Sequence, residues 1–310
     1  MKIVIVGPGA MGCLFAAFLS KSKEEIWLLD KRKERAALIK EQGIIIEGVS
    51  GSWKTAIKIS TDAKEIGKAD LVIIATKSYD TKEAIAQSRP LIGEKTQILT
   101  LQNGIGNTEI ISEVLGSDDN IIAGVTNLGA TLVKQGHTRH AGKGETIIGR
   151  VDAKLPVEMR AIRELFNKTG IEVKFSRDIK SLLWSKLIIN AGINALAAIT
   201  RLNNGKLLDY EGTRKIMREA VVEATKIAKR KRIKLVYDDP LAKVEAVCEA
   251  TSTNVSSMLQ DILNKKRTEI DFINGVIVRL GQEMGIPVFT NTILVNLVKT
   301  IEESYKYIIS

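Results

Sequence analysis

Cysteine and histidine are scarce: in 310 residues there are two of each, Cys13 and Cys248, His137 and His140. Two such cysteines cannot build a disulfide framework, and with two scattered histidines they give no zinc-ligand spacing, which excludes a stapled fold and a structural metal site. This usage suits a reducing compartment. Cys13 falls near a predicted helix start, where a dipole can lower a thiol pKa, but it reads as a buried packing residue. The histidines have no neighbours that complete a triad or a metal set, so both are expected at the surface. There is no Pro/Gly-rich linker, internal repeat or low-complexity tract. No stretch reaches the roughly 18 uninterrupted apolar residues that span a bilayer. The opening "MKIVIVGPGAMGCLFAAFLS" imitates a secretion signal, yet its order of strand formers, Gly-Pro-Gly and helical pattern is better read as strand, turn and helix. The expectation is a soluble cytoplasmic protein with no membrane partner.

Composition is that of an ordinary globular chain, with 45% hydrophobic and 26% charged residues, and its length suffices for two domains. The 46 basic and 36 acidic residues leave a formal charge of +10, which favours anionic ligands. The densest basic run, "KIAKRKRIK" at 226–234, is broken by apolar residues at helical spacing and holds no aromatic ring on which bases stack. It reads as a solvated helix face, and no nucleic-acid partner is expected.

The first half reads as an α/β nucleotide-binding domain. "KIVIV" at 2–6 is a short β-branched run and leads straight into "GPGAMG". Gly7, Gly9 and Gly12 form G-x-G-x-x-G: the first permits a tight turn, the second lets a pyrophosphate approach the backbone, and the third allows close helix packing. The following helix presents free N–H groups to phosphate. A second strand, "EIWLLD", ends at Asp30, eighteen positions beyond Gly12, where an acid contacts the adenosine ribose and favours NADH. Lys31, Arg32 and Lys33 follow and suit the 2′-phosphate of NADPH, so both dinucleotides remain in play. Further strands are expected within 69–76, 96–102 and 120–126, separated by helical patterning, giving a mainly parallel sheet. Ligands bind such sheets beyond the strand carboxyl ends, where Lys77 and "NGIG" (103–106) lie. Residues 131–149 read as an antiparallel extension of that sheet.

After "IEVKFS" (171–176) helical periodicity prevails, so the boundary is placed between domains 1–176 and 177–310. One helix here, within 185–205, carries Lys186, Asn190 and Asn194 among isoleucines, leucines and alanines. Four-residue spacing puts all three on one stripe. An unpaired amide in apolar surroundings costs roughly 1–3 kcal/mol, so these groups need protein partners, water or a ligand. A second polar group, Asn254 and Ser257 with Glu269 farther along, is expected on one helix spanning 254–275.

Taken in order, the glycine loop, Lys77, "QNGIG", "SKLIINAGIN", "NNG" and "NVSSMLQDI…RTEIDFINGV" make the chain resemble ketopantoate reductase, the 2-dehydropantoate 2-reductase family, over nearly its whole length. The resemblance implies a Rossmann-like domain followed by an all-helical domain, and NAD(P)H-dependent reduction of 2-dehydropantoate to (R)-pantoate on the way to pantothenate and coenzyme A. Under it, Lys186 matches the proton donor and Asn190, Asn194 and Asn204 the substrate-binding asparagines. Ser257 resembles the serine that meets the substrate carboxylate, and Asn254 its polar neighbour. Glu269 matches an acid near the substrate hydroxyl and the cofactor. Gly7, Pro8, Gly9, Ala10, Met11, Gly12, Lys77, Asn103 and Ala130 match cofactor contacts, with Asn103 also near substrate. At the second strand Asp30–Lys31 departs from the pattern, in which NADPH is met by a basic residue; Lys31 is the candidate for that place. A homodimer is compatible with the family. Two other functions fit the same motifs: reduction of a different branched 2-oxo acid, and a non-catalytic NAD(P)-binding redox sensor, which has no need of Lys186.

Overall fold

The computed structural model describes residues 1–307, which fall into two compact units. One comprises Met1–Gln102 and Asn107–Ile179; the other begins at Lys180 and also takes in Asn103–Gly106, a segment the sequence assigns to the first half.

The first unit runs β1 (Lys2–Val6), α1 (Ala10–Leu19), β2 (Glu25–Leu29), α2 (Lys33–Gln42), β3 (Ile44–Gly48), β4 (Trp53–Thr55), β5 (Lys58–Ser60), α3 (Ala63–Ile66), β6 (Leu71–Ile74), α4 (Thr81–Gln87), β7 (Gln97–Thr100), α5 (Asn107–Leu115), β8 (Ile121–Thr126), β9 (Gly129–Lys134), β10 (His137–Gly142), β11 (Thr146–Gly149), α6 (Val157–Thr169) and β12 (Val173–Phe175). Its main sheet has the order β12-β11-β8-β7-β6-β1-β2-β5, and every pairing from β8 to β5 is parallel. β11 is antiparallel to β8 and carries β12 parallel to itself. Alternation along each strand sorts the core into two layers. Ile3 and Ile5 pack with α1 and α6 residues such as Phe15 and Phe166, while Val4 and Val6 join Ile85 of α4 and Ile111 of α5. A mainly parallel sheet covered on both faces is the expected architecture.

A second sheet, β4-β3-β10-β9, was not expected. The hairpin β9–β10 does not extend the main sheet as the sequence suggests; β10 pairs in parallel with β3, and only β11 makes the antiparallel extension. The expectation of a surface position fails for His140. Period-two alternation turns Thr138 and His140 inward, where His140 is buried edge-on to Phe18 and its Nδ1 lies 2.6 Å from Ser50 Oγ. Burial lowers its pKa. His137 is half-buried, with Nε2 2.9 Å from Glu47. Cys13 and Cys248 are both buried and unbridged.

The second unit contains α7 (Ile179–Thr200), α8 (Glu211–Arg230), α9 (Pro240–Ala250), α10 (Ser257–Leu263), α11 (Asn274–Met284) and α12 (Phe289–Glu303). No strand occurs among its described residues. α7 is long and apolar enough to cross a bilayer by composition alone, but 67% of its most apolar window is buried in this protein, so it is the central core helix. Leu187, Ile188, Ala191 and Leu196 pack there with Val221, Val244 and Ile277. At Gly192 an added Cβ would lie 2.9 Å from Val221, which shows how closely α7 and α8 approach. The single helix expected over 254–275 is instead broken. α10 ends at Leu263, Asn264 caps it, Lys265 takes φ +51°, and Glu269 caps a 3₁₀ turn, Ile270–Phe272, that leads into α11.

Candidate active site

In the first unit the glycine loop connects β1 to α1 as its spacing requires. Gly7 has φ +95°, and its N–H donates to Leu29 O at 2.9 Å, tying the loop to the end of β2. A Cβ at Gly12 would meet Gly7 O at 2.1 Å, whereas one at Gly9 would meet nothing within 4 Å. Gly12 is therefore demanded by packing. Gly9 is not, and it leaves backbone open at a helix start that no side chain caps. Free N–H groups of Ala10 and Met11 above an open glycine fit a dinucleotide pyrophosphate. Pro8 O receives the Cys13 thiol at 3.5 Å, and burial pushes that thiol up to about 12, so Cys13 packs and does not react.

The end of β2 differs from the sequence reading. The Asp30 carboxylate is already held by protein groups: its side chain is 1% exposed and its oxygens are clamped by Arg35 Nε at 2.6 Å and Nη2 at 2.5 Å, with the Arg32 N–H at 3.1 Å. Lys31 reaches away to Asp80 and Glu83, at 3.1 and 3.0 Å, and these partners raise its pKa. Arg35, which motif spacing missed, thus takes up the carboxylate at the end of β2. Lys77 precedes the turn Ser78–Asp80 after β6, and Ala130 lies on β9 opposite His140. A buried set, Gln102 donating to Thr76 O at 2.9 Å and Thr81 Oγ1 at 2.9 Å, fixes the loops after β6 and β7.

In the second unit the structure brings Lys186, Glu269 and Asn103 together. Burial lowers the Lys186 pKa from 10.5 to about 8, against the opposing pull of the Glu269 carboxylate. Asn103 Nδ2 donates to Glu269 Oε2 at 3.4 Å. The segment 103–106 is seated on the Glu269 turn: Ile105 N–H donates to Phe272 O at 3.1 Å, and any Cβ on Gly104, at φ +83°, would meet that same oxygen. Backbone contact explains the Asn-Gly pair.

Asn190 and Asn194 follow Lys186 along α7. Asn194 is buried and Asn190 half-buried, and neither amide has a hydrogen-bond partner among the described residues. Pairing among the described residues therefore does not explain the two amides. Asn204 and Asn254 meet through backbone, Asn204 N–H donating to Asn254 O at 3.1 Å, while Asn204 Nδ2 donates to Thr251 Oγ1 at 2.9 Å and its buried Oδ1 has no partner among the described residues. Ser257 is exposed at the start of α10; the neighbouring Ser256, whose Oγ accepts from Leu259 N–H, is the cap. No cluster of metal-ligating side chains occurs among the described residues.

Comparison with known proteins agrees with this geometry. The family model "Ketopantoate reductase PanE/ApbA" matches residues 3–153 and its C-terminal counterpart matches residues 178–302. A curated 2-dehydropantoate 2-reductase of Pyrococcus horikoshii is 36% identical, covering 97% of this chain and 98% of its own. Among solved structures, a PanE/ApbA family ketopantoate reductase from Ralstonia eutropha superposes with TM-score 0.90 at 32% identity, covering 99% of this chain and 100% of its own. D-mandelate dehydrogenase, solved with NADH and anilino(oxo)acetate, also superposes with TM-score 0.90, at 29% identity and with the same coverage of each chain. The chain belongs to the ketopantoate reductase PanE/ApbA family.

Proposed function

We propose that this protein reduces 2-dehydropantoate to (R)-pantoate with NADPH or NADH, and that Lys186 donates the proton. The observation that carries the reading is the α7 stripe: an ammonium beside the Glu269 carboxylate, its pKa lowered by burial to about 8, followed by two amides with no hydrogen-bond partner among the described residues. The first unit, through Gly7, Gly9, Gly12, Ala10 and Met11, is the dinucleotide-binding domain in this account; the helical unit supplies the catalytic and substrate groups.

A bound dinucleotide supplies hydride to the ketone carbon. As negative charge grows on the carbonyl oxygen, the Lys186 ammonium gives it a proton and becomes a neutral amine, which is reprotonated from solvent. The Asn190 and Asn194 amides add uncharged donors where that charge develops. Glu269 keeps Lys186 protonated near neutral pH, which burial alone would oppose. Asn204, Asn254 and exposed Ser257 are assigned to the substrate, with Ser257 meeting its carboxylate, and Asn103 to substrate and cofactor. Lys77 and Ala130 are assigned to the cofactor.

The test is NADPH or NADH oxidation by purified protein with 2-dehydropantoate. Turnover supports the assignment; its absence with both nucleotides removes it. The likeness to D-mandelate dehydrogenase favours a second reading, reduction of another branched 2-oxo acid, and kcat/KM over an oxo-acid panel separates the two. A redox sensor would bind dinucleotide and reduce none of the panel. A cytoplasmic homodimer is the assembly state we infer.

A further inference from the structure

The helical core contains a buried polar network that the reaction does not use directly. Asn274, the first residue of α11, is fully buried. Its Nδ2 donates to Ala191 O on α7 at 3.0 Å and to Asn291 Oδ1 at 3.0 Å. Asn291 Nδ2 in turn donates to Ala220 O at 3.1 Å and to Glu223 Oε2 at 2.7 Å. Glu223 also accepts the Thr290 and Asn291 N–H groups, at 2.8 and 2.9 Å, and so caps the start of α12. The Asn274 and Asn291 side-chain amides both donate to acceptors, which assigns their orientation. Asn274 Oδ1 is buried and has no partner among the described residues. Apolar packing would fill this place without leaving an acceptor bare.

The position of Asn274 in the chain gives the network a role. Ala191 lies five residues beyond Lys186 on the same unbroken helix. Asn274 lies five residues beyond Glu269, and the intervening turn is rigid, with the Phe272 and Ile273 N–H groups both donating to Glu269 O at 3.0 and 3.1 Å. The Asn274–Ala191 bond therefore closes a four-sided frame whose opposite side is the Lys186–Glu269 charge pair.

We propose that Asn274 is a positioning residue for catalysis: by bonding the α7 backbone at Ala191 it holds the Glu269 turn in register with Lys186, and Asn291 and Glu223 hold Asn274. The inference rests on the proposed role of Lys186. The Glu269 carboxylate opposes the burial that lowers the Lys186 pKa, so a slip of the frame is read in the lysine's titration.

The test compares Asn274→Ala with Leu294→Ala, a core truncation on α12 outside the network. The two are matched for loss of thermal stability by choosing the assay temperature. The frame predicts that Asn274→Ala lowers kcat about tenfold or more and moves the alkaline limb of the kcat profile down by about half a pH unit or more, as expected for a weakened charge partner, while nucleotide Kd stays the same. Leu294→Ala leaves the limb in place. An unmoved limb in Asn274→Ala, or an equal shift in both variants, overturns the proposal. Where Asn274→Ala does not fold, Asn291→Ser loosens Asn274 without touching α7 and must show the same downward shift. The pH dependence of Lys186 amine modification, followed by mass spectrometry, reads the same shift without turnover. A protein inactive on every oxo acid then removes the reductase reading but not the frame, and an unshifted modification profile removes the frame but not the reductase.

Discussion

Replacing Glu269 by glutamine removes a charge while retaining shape, and its effect follows from the two opposed influences on Lys186. Burial lowers the lysine from 10.5 and Glu269 raises it, leaving about 8. At pH 7 a donor of that pKa is about 90% protonated. An opposite charge close to a buried ammonium generally holds its pKa up by about 1–3, so loss of the Glu269 carboxylate lets burial lower the lysine further. Only the ammonium can donate, so the reduction rate is full at low pH and falls as pH rises through the folded pKa. Glu269→Gln should shift that fall to a lower pH. At pH 7.5 the variant should retain about a tenth of wild-type kcat or less, and the gap should narrow as pH approaches 5.5. The assay is kcat at saturating 2-dehydropantoate and NADPH across pH 5.5–10. A profile flat through pH 8 in the wild type, or superimposable limbs in the two proteins, would mean that Lys186 is not a donor tuned by Glu269.

Other perturbations have equally definite outcomes. Gly9→Ala should leave the thermal midpoint within about 2 °C and weaken dinucleotide binding tenfold or more, whereas Gly12→Ala, which drives a Cβ into Gly7 O, should lower the midpoint by several degrees; calorimetry and nucleotide titration separate them. Arg35→Ala unclamps Asp30 and should move the NADPH/NADH ratio of kcat/KM toward NADH by about tenfold, and an unchanged ratio would place cofactor choice elsewhere. Burial raises both thiols to about 12, so a thiol reagent at pH 8 should react with neither in native protein and with both after denaturation. Glu223→Ala strands the Thr290 and Asn291 N–H groups and should cost about 2–4 kcal/mol in urea unfolding.

Much of this architecture is written in local pattern. β1, the glycine loop and α1 follow from five strand formers, three glycines and an apolar helix, because each choice depends on neighbours a few residues away. The Lys186–Asn190–Asn194 stripe is legible for the same reason, being pure helical spacing. Contacts between remote segments are not. β3 and β10 are short, and nothing in either announces that they pair, although inward-facing Thr138 and His140 carried a readable alternation. The break after Leu263 turns on the positive φ of Lys265, a residue with no strong preference for it. Asp30 stands at the ribose position by count, yet an arginine five residues later takes its carboxylate, which a motif cannot show. The capture of Glu223 by the start of α12 is likewise tertiary.

The most direct measurement is a single-turnover comparison of wild type and Lys186→Ala, mixing nucleotide-loaded protein with 2-dehydropantoate and following NADPH absorbance. If Lys186 donates the proton, the observed rate falls at least about 10²-fold with nucleotide affinity unchanged. A rate within threefold of wild type would contradict it.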